Sequence, residues 1–134
     1  MSNGFYNVPI AVNEPVTEYA PKSPERTKLL EEYKKMYNST VDVPMYIGDK
    51  KVFTNNKRNL SPPHEHSHII GTSNYGGQKE VLSAIDAAMH AREKWAAMSW
   101  EHRASIFLKA ADLLAGPFRA RLNAATMLAQ SKNV

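Results

Sequence analysis

The stretch Trp95-Ala96-Ala97-Met98-Ser99-Trp100-Glu101-His102-Arg103-Ala104-Ser105-Ile106-Phe107-Leu108-Lys109-Ala110-Ala111-Asp112-Leu113-Leu114 contains the end of one helix, a break, and most of a second helix. Ser99 makes the break legible, because a serine side chain accepts a hydrogen bond from the free amides of the helix that follows it. Glu101 then lies near the positive amino end of that helix. Ala104, Phe107, Leu108, Ala111 and Leu114 recur at helical spacing and mark its expected buried stripe, and Gly116-Pro117 ends it. Upstream, Val81, Leu82, Ile85, Ala88, Met89, Trp95 and Ala96 mark one face of a helix beginning after Gly76-Gly77. Downstream, a third helix is expected from Pro117, carrying Leu122, Ala125, Leu128 and Ala129.

Toward the amino end the pattern changes. Residues 41–75 are short segments rich in β-branched and aromatic residues, broken at Gly48-Asp49, Asn55-Asn56 and Pro62-Pro63. Pro44 to Ile47 and Val52 to Thr54 read as a hairpin around Gly48-Asp49, with His68 to Thr72 as a further strand. Before them, Ser23 caps and Pro24 opens a helix over residues 24–37, with Leu29, Leu30, Tyr33, Met36 and Tyr37 at helical spacing. Glu31 and Lys35 are expected to pair four residues apart, and Asn38 to stop the helix. Pro9, Pro15, Pro21 and Pro24 make the first twenty-four residues an extended arm that needs another surface to lie on.

The expected organisation is therefore an arm and first helix over 1–40, a hairpin with short strands over 41–75, and a helical segment over 76–134. The last helix runs into Ser131-Lys132-Asn133-Val134 with no glycine cap, proline or return segment. That pattern reads as truncation and predicts a piece of a larger protein. Its apolar stripes would face water, so the isolated chain is expected to be molten or to aggregate.

Composition narrows the class. A hydrophobic fraction of 43% and a charged fraction of 22% over 134 residues match an ordinary soluble globular chain. No apolar run approaches the roughly 18–20 residues needed to cross a bilayer, so no membrane partner is expected. The first residues lack a secretory start, and Glu14 and Glu18 without arginine in the first twenty-one argue against a mitochondrial transit peptide. The cytoplasm is the expected compartment, with the mitochondrial matrix as alternative. Seventeen basic and thirteen acidic residues, net +4, are interspersed along the chain, which does not point to nucleic acid. No cysteine is present, which excludes a disulfide, a thiolate metal site and a cysteine nucleophile within these residues.

Each candidate site has a plainer reading that outweighs it. His64, His66 and His68 alternate, and on a strand would present three imidazoles to one face as metal ligands, yet no carboxylate or thiol completes the set. A hydrogen-bonded strand edge accounts for them better. Lys50, Lys51, Lys57 and Arg58 around Phe53 resemble a single-strand nucleic-acid patch, but edge lysines also discourage strand-on-strand association. Trp95 and Trp100 bracket a helix–helix corner, where core packing is the expected role. Ser105 near His102 lacks nucleophile-elbow spacing, and Asp112 and Glu101 read as surface carboxylates. Neither G-x-G-x-x-G nor G-x-x-x-x-G-K-[ST] is present for a nucleotide. No catalytic, cofactor-binding or metal residue is assigned.

The stretch from Trp95 to Leu114 resembles the early helical pair of the aldehyde dehydrogenase superfamily, where a tryptophan, an arginine and an alanine-aspartate-leucine-leucine step recur. Ala115-Gly116-Pro117-Phe118-Arg119 and Ala125-Thr126-Met127-Leu128-Ala129-Gln130-Ser131-Lys132 narrow the likeness to the branch that oxidises glutamate semialdehyde. Gly4-Phe5-Tyr6-Asn7-Val8-Pro9, Asn13-Glu14-Pro15-Val16 and Val43-Pro44-Met45-Tyr46-Ile47-Gly48 point the same way. The resemblance covers essentially the whole chain and only the beginning of the family's sequence.

It implies an α/β parent fold, of which this piece is mostly helical with an extended N-terminal arm and a small β-hairpin. It further implies an NAD-dependent enzyme making glutamate in proline degradation, with a cysteine thiolate, an asparagine and a glutamate supplied from elsewhere. The implied partners are the rest of the dehydrogenase, a small aldehyde substrate and further copies in a homo-oligomer. A stand-alone helical interaction module with a basic hairpin is the alternative, and a histidine metal protein a third reading.

Overall fold

The computed structural model describes residues 9–134; the motif over residues 4–8 and the start of the arm lie outside the described residues. From residue 9 to residue 20 the arm has no regular structure, as its prolines require. It lies on the last helix: the Arg119 guanidinium donates to the Pro15 carbonyl at 2.9 Å, and the Asn123 amide donates to the Tyr19 hydroxyl at 2.9 Å. Tyr19 has a left-handed backbone, φ 50°, and Arg26 holds its carbonyl at 3.1 Å.

Helix α1, Pro24–Tyr37, has the expected limits. The Ser23 hydroxyl accepts from the Arg26 amide, Pro24 fills the first turn, and Asn38 closes the end through the Lys34 carbonyl. Leu29 is its buried residue, whereas Leu30 is exposed. Lys35 approaches Glu32 at 4.0 Å, three residues away, in place of the expected pairing with Glu31.

Five short strands follow: β1 Val41–Val43, β2 Met45–Ile47, β3 Lys50–Val52, β4 Lys57–Leu60 and β5 Gly71–Asn74. The hairpin is tighter than expected, because β3 begins at Lys50 and pairs directly with Ile47. Gly48 alone supplies the positive φ, 62°, at the first of the two turn positions, the pattern that matches the twist of paired strands. The further strand runs from Gly71 to Asn74, not from His68. It is central in a sheet ordered β1-β5-β4, parallel to β1 and antiparallel to β4. A Cβ at Gly71 would lie 2.2 Å from the Val41 carbonyl oxygen, so this close strand approach requires glycine.

Asn74 joins these strands from inside, only 8% exposed. Its amide nitrogen donates to Asp42 Oδ1 at 2.7 Å and to the Val43 carbonyl at 2.9 Å, and its oxygen accepts the Thr54 amide at 2.8 Å. Asp42 also accepts from Lys57 Nζ at 2.6 Å and from the Thr72 hydroxyl at 2.9 Å. The Lys57 hydrogen bond, followed by that from Thr72, holds the Asp42 carboxyl below its ordinary value.

Three helices complete the chain: α2 Gln78–Ala97, α3 Trp100–Ala115 and α4 Arg119–Gln130. The Ser99 hydroxyl accepts from the His102 amide, and Gly116 caps the other end of α3, as expected. The third helix starts at Arg119, two residues after Pro117, and ends on Ser131 in a left-handed conformation, φ 54°. Its inward side is Ala124 and Leu128, packed on α1, so the expected stripe is rotated away from Leu122. None of these helices is long and apolar enough to cross a membrane, among the described residues.

Burial is uneven. Leu29, Ala124 and Leu128 form the buried apolar core where α1 meets α4, while α2 and α3 bury no residue. Phe107 is 67% exposed, and Val81, Ile85, Met89, Leu108 and Leu114 are also open to solvent. Trp95 and Trp100 flank the α2–α3 corner as expected, but at 40% and 52% exposure they are not core residues. The accessible surface is 10996 Å², against roughly 7,000 Å² for a compact monomer of this mass. Amides of α1 and α4 are therefore expected to exchange with deuterium more slowly than those of α2 and α3. Leu128→Ala, which costs about 2–5 kcal/mol at a packed site, should erase that difference; equal protection before substitution would refute it. The chain alone should bind a hydrophobic dye and lack a sharp thermal transition, and a cooperative melt of a monodisperse monomer would overturn this.

Acid should loosen the sheet selectively. A carboxyl held low in the folded state contributes stability that is complete above its unfolded value, near 3.8, and lost as pH falls through the depressed one. Exchange at β1 and β5 should therefore accelerate on acidification below that value. Asp42→Asn should flatten this dependence, and an unchanged pH profile in the variant would show that another group governs the acid loss.

Candidate functional site

The histidine segment is the most connected group of titratable side chains outside the sheet. Pro62 is buried, and the chain beyond it makes successive turns over residues 63–64 and 66–67 in place of the expected strand. The three imidazoles consequently have separate environments. His64 Nδ1 lies 2.8 Å from Ser131 Oγ at the end of α4. His68 Nε2 lies 2.8 Å from the Tyr37 carbonyl; because a carbonyl only accepts, this nitrogen carries the hydrogen. His66 is exposed.

Tyr37 is the second anchor of this loop. Its hydroxyl donates to Glu65 Oε2 at 2.7 Å, and its ring stacks on His68 with centroids 4.0 Å apart. The hydrogen bond to Glu65 raises the phenol above its ordinary value, and burial and the Glu65 charge act in the same direction. Among the described residues, no group of three His, Cys, Asp or Glu side chains could hold a metal ion. The histidine loop thus ties the carboxyl ends of α1 and α4 together. The partners Tyr37 and Ser131, distant in sequence, could not be read from the alternation of the histidines.

The basic residues are likewise engaged or dispersed. Lys57 pairs with Asp42 and lies 5.9 Å from the Phe53 ring centroid, while Arg58 covers the Tyr75 ring at 4.7 Å. Lys50 and Lys51 occupy the exposed strand β3. Ser105 donates to the His102 carbonyl at 2.8 Å, a bond within the helix that leaves the imidazole out of reach of the hydroxyl hydrogen. Glu101 remains in the first turn of α3, and the backbone carbonyl of Asp112 receives the Gly116 amide.

An open helix amino terminus is a ready-made site for a dinucleotide phosphate. At α2 that position is filled from within: Glu80 Oε2 accepts the Gly77 amide at 2.8 Å. Hydrogen bonds from the Gly77 amide and from its own amide lower the Glu80 carboxyl. A carboxylate seated there repels a pyrophosphate, so the residues around Gly76-Gly77 do not fit NAD.

Comparisons with known proteins extend the geometry. The profile of the aldehyde dehydrogenase family matches residues 53–134. Delta-1-pyrroline-5-carboxylate dehydrogenase of Agaricus bisporus is 41% identical over 129 residues, covering 96% of this chain and 24% of that protein. The mitochondrial delta-1-pyrroline-5-carboxylate dehydrogenase of Bos taurus is 39% identical over 122 residues, covering 91% and 22%. The crystal structure of the Delta-pyrroline-5-carboxylate dehydrogenase from Mycobacterium tuberculosis bound with NAD superimposes with a TM-score of 0.91 at 41% identity, over 95% of this chain and 24% of that one. The chain spans about a quarter of the length of the relatives it matches. From the profile match across most of its residues, and from a backbone shared with a solved member, this chain belongs to the aldehyde dehydrogenase family.

Proposed function

We propose that this chain is the amino-terminal part of an NAD-dependent dehydrogenase that oxidises L-glutamate γ-semialdehyde to L-glutamate in proline degradation. The observation that carries the reading is the likeness over nearly the whole chain to a pyrroline-carboxylate dehydrogenase bound with NAD. The role of these residues is structural, and no catalytic, cofactor-binding or metal residue lies among them. Aldehyde oxidation of the implied type begins with a thiolate adding to the carbonyl carbon, and this chain contains no cysteine. NAD accepts the hydride in that chemistry. The segment 76–134 flanks the cofactor domain, with the arm and hairpin wrapped around it, and the open faces of α2 and α3 are supports for the remaining polypeptide.

The complete enzyme is proposed as a homo-oligomer in the cytoplasm. The mitochondrial matrix is the second reading, favoured by the compartment named for the Bos taurus relative. Cell fractionation with an antibody to this chain distinguishes the two.

Two measurements test the assignment. This chain, supplied with NAD and the semialdehyde, should form no reduced nicotinamide; turnover above the buffer background would overturn the structural role. In the complete enzyme, Phe107→Asp should lower the thermal midpoint by several degrees, because a charge would be placed where an apolar ring is covered. In the present chain, read by amide exchange of α3 because no sharp thermal transition is expected, the same substitution should be nearly neutral, since Phe107 already meets water. Equal effects in both would contradict the proposed covering of α3.

A further inference from the structure

We draw no further inference here: the strongest candidate, the apolar surface that α2 and α3 leave open at Ile85, Met89, Phe107 and Leu114, belongs to the reading already proposed, and nothing in the structure shows a different occupant.

Discussion

The sheet depends on one buried amide. Asn74 uses both of its amide hydrogens on β1 and its oxygen on the strand-leaving residue Thr54, so three separate segments meet at one side chain. A buried polar group left without partners costs roughly 1–3 kcal/mol, which makes this satisfied arrangement selective for one strand order. The short strands could otherwise slide, because three paired residues offer little to define register. Gly71 adds a steric condition: only a residue without a Cβ permits β5 to approach Val41 so closely.

A second dependence joins the sheet to the helices. Tyr37 lies at the end of α1 and holds Glu65 and His68, while Ser131 at the end of α4 meets His64. The loop between β4 and β5 is consequently attached to the same helix pair that carries the buried core. The other helix pair has no equivalent cover. Leu29 and Leu128 bury their side chains where α1 meets α4, whereas the larger apolar surface of α2 and α3 remains wet. Burial of that surface would supply the main hydrophobic gain still open to this chain, since the gain scales with apolar area removed from water. This asymmetry is the physical basis of the structural role proposed for these residues.

Much of the helical framework was legible because its signals are local. Ser23, Pro24 and Asn38 delimit α1, and Ser99 and Gly116 delimit α3, through bonds spanning only a few residues. Strand pairing was less legible. The partner of Val41 is Gly71, thirty positions later, and no periodic pattern within either strand announces a parallel neighbour. The alternating histidines illustrate the same limit: alternation predicts a common face only on an extended backbone, and Pro62-Pro63 leads into turns instead.

By itself the sequence determined the limits of α1 and α3, the position of the tight hairpin turn, the absence of a thiol and the family likeness, because each depends on residue chemistry or on neighbours close in the chain. Only the tertiary structure decided that Ala124, not Leu122, joins Leu128 against α1, that β5 lies between β1 and β4, and that Asn74 and Tyr37 are the joining residues. Those outcomes arise from contacts between residues distant in sequence, where the fit of whole elements selects among faces that local periodicity leaves nearly equivalent.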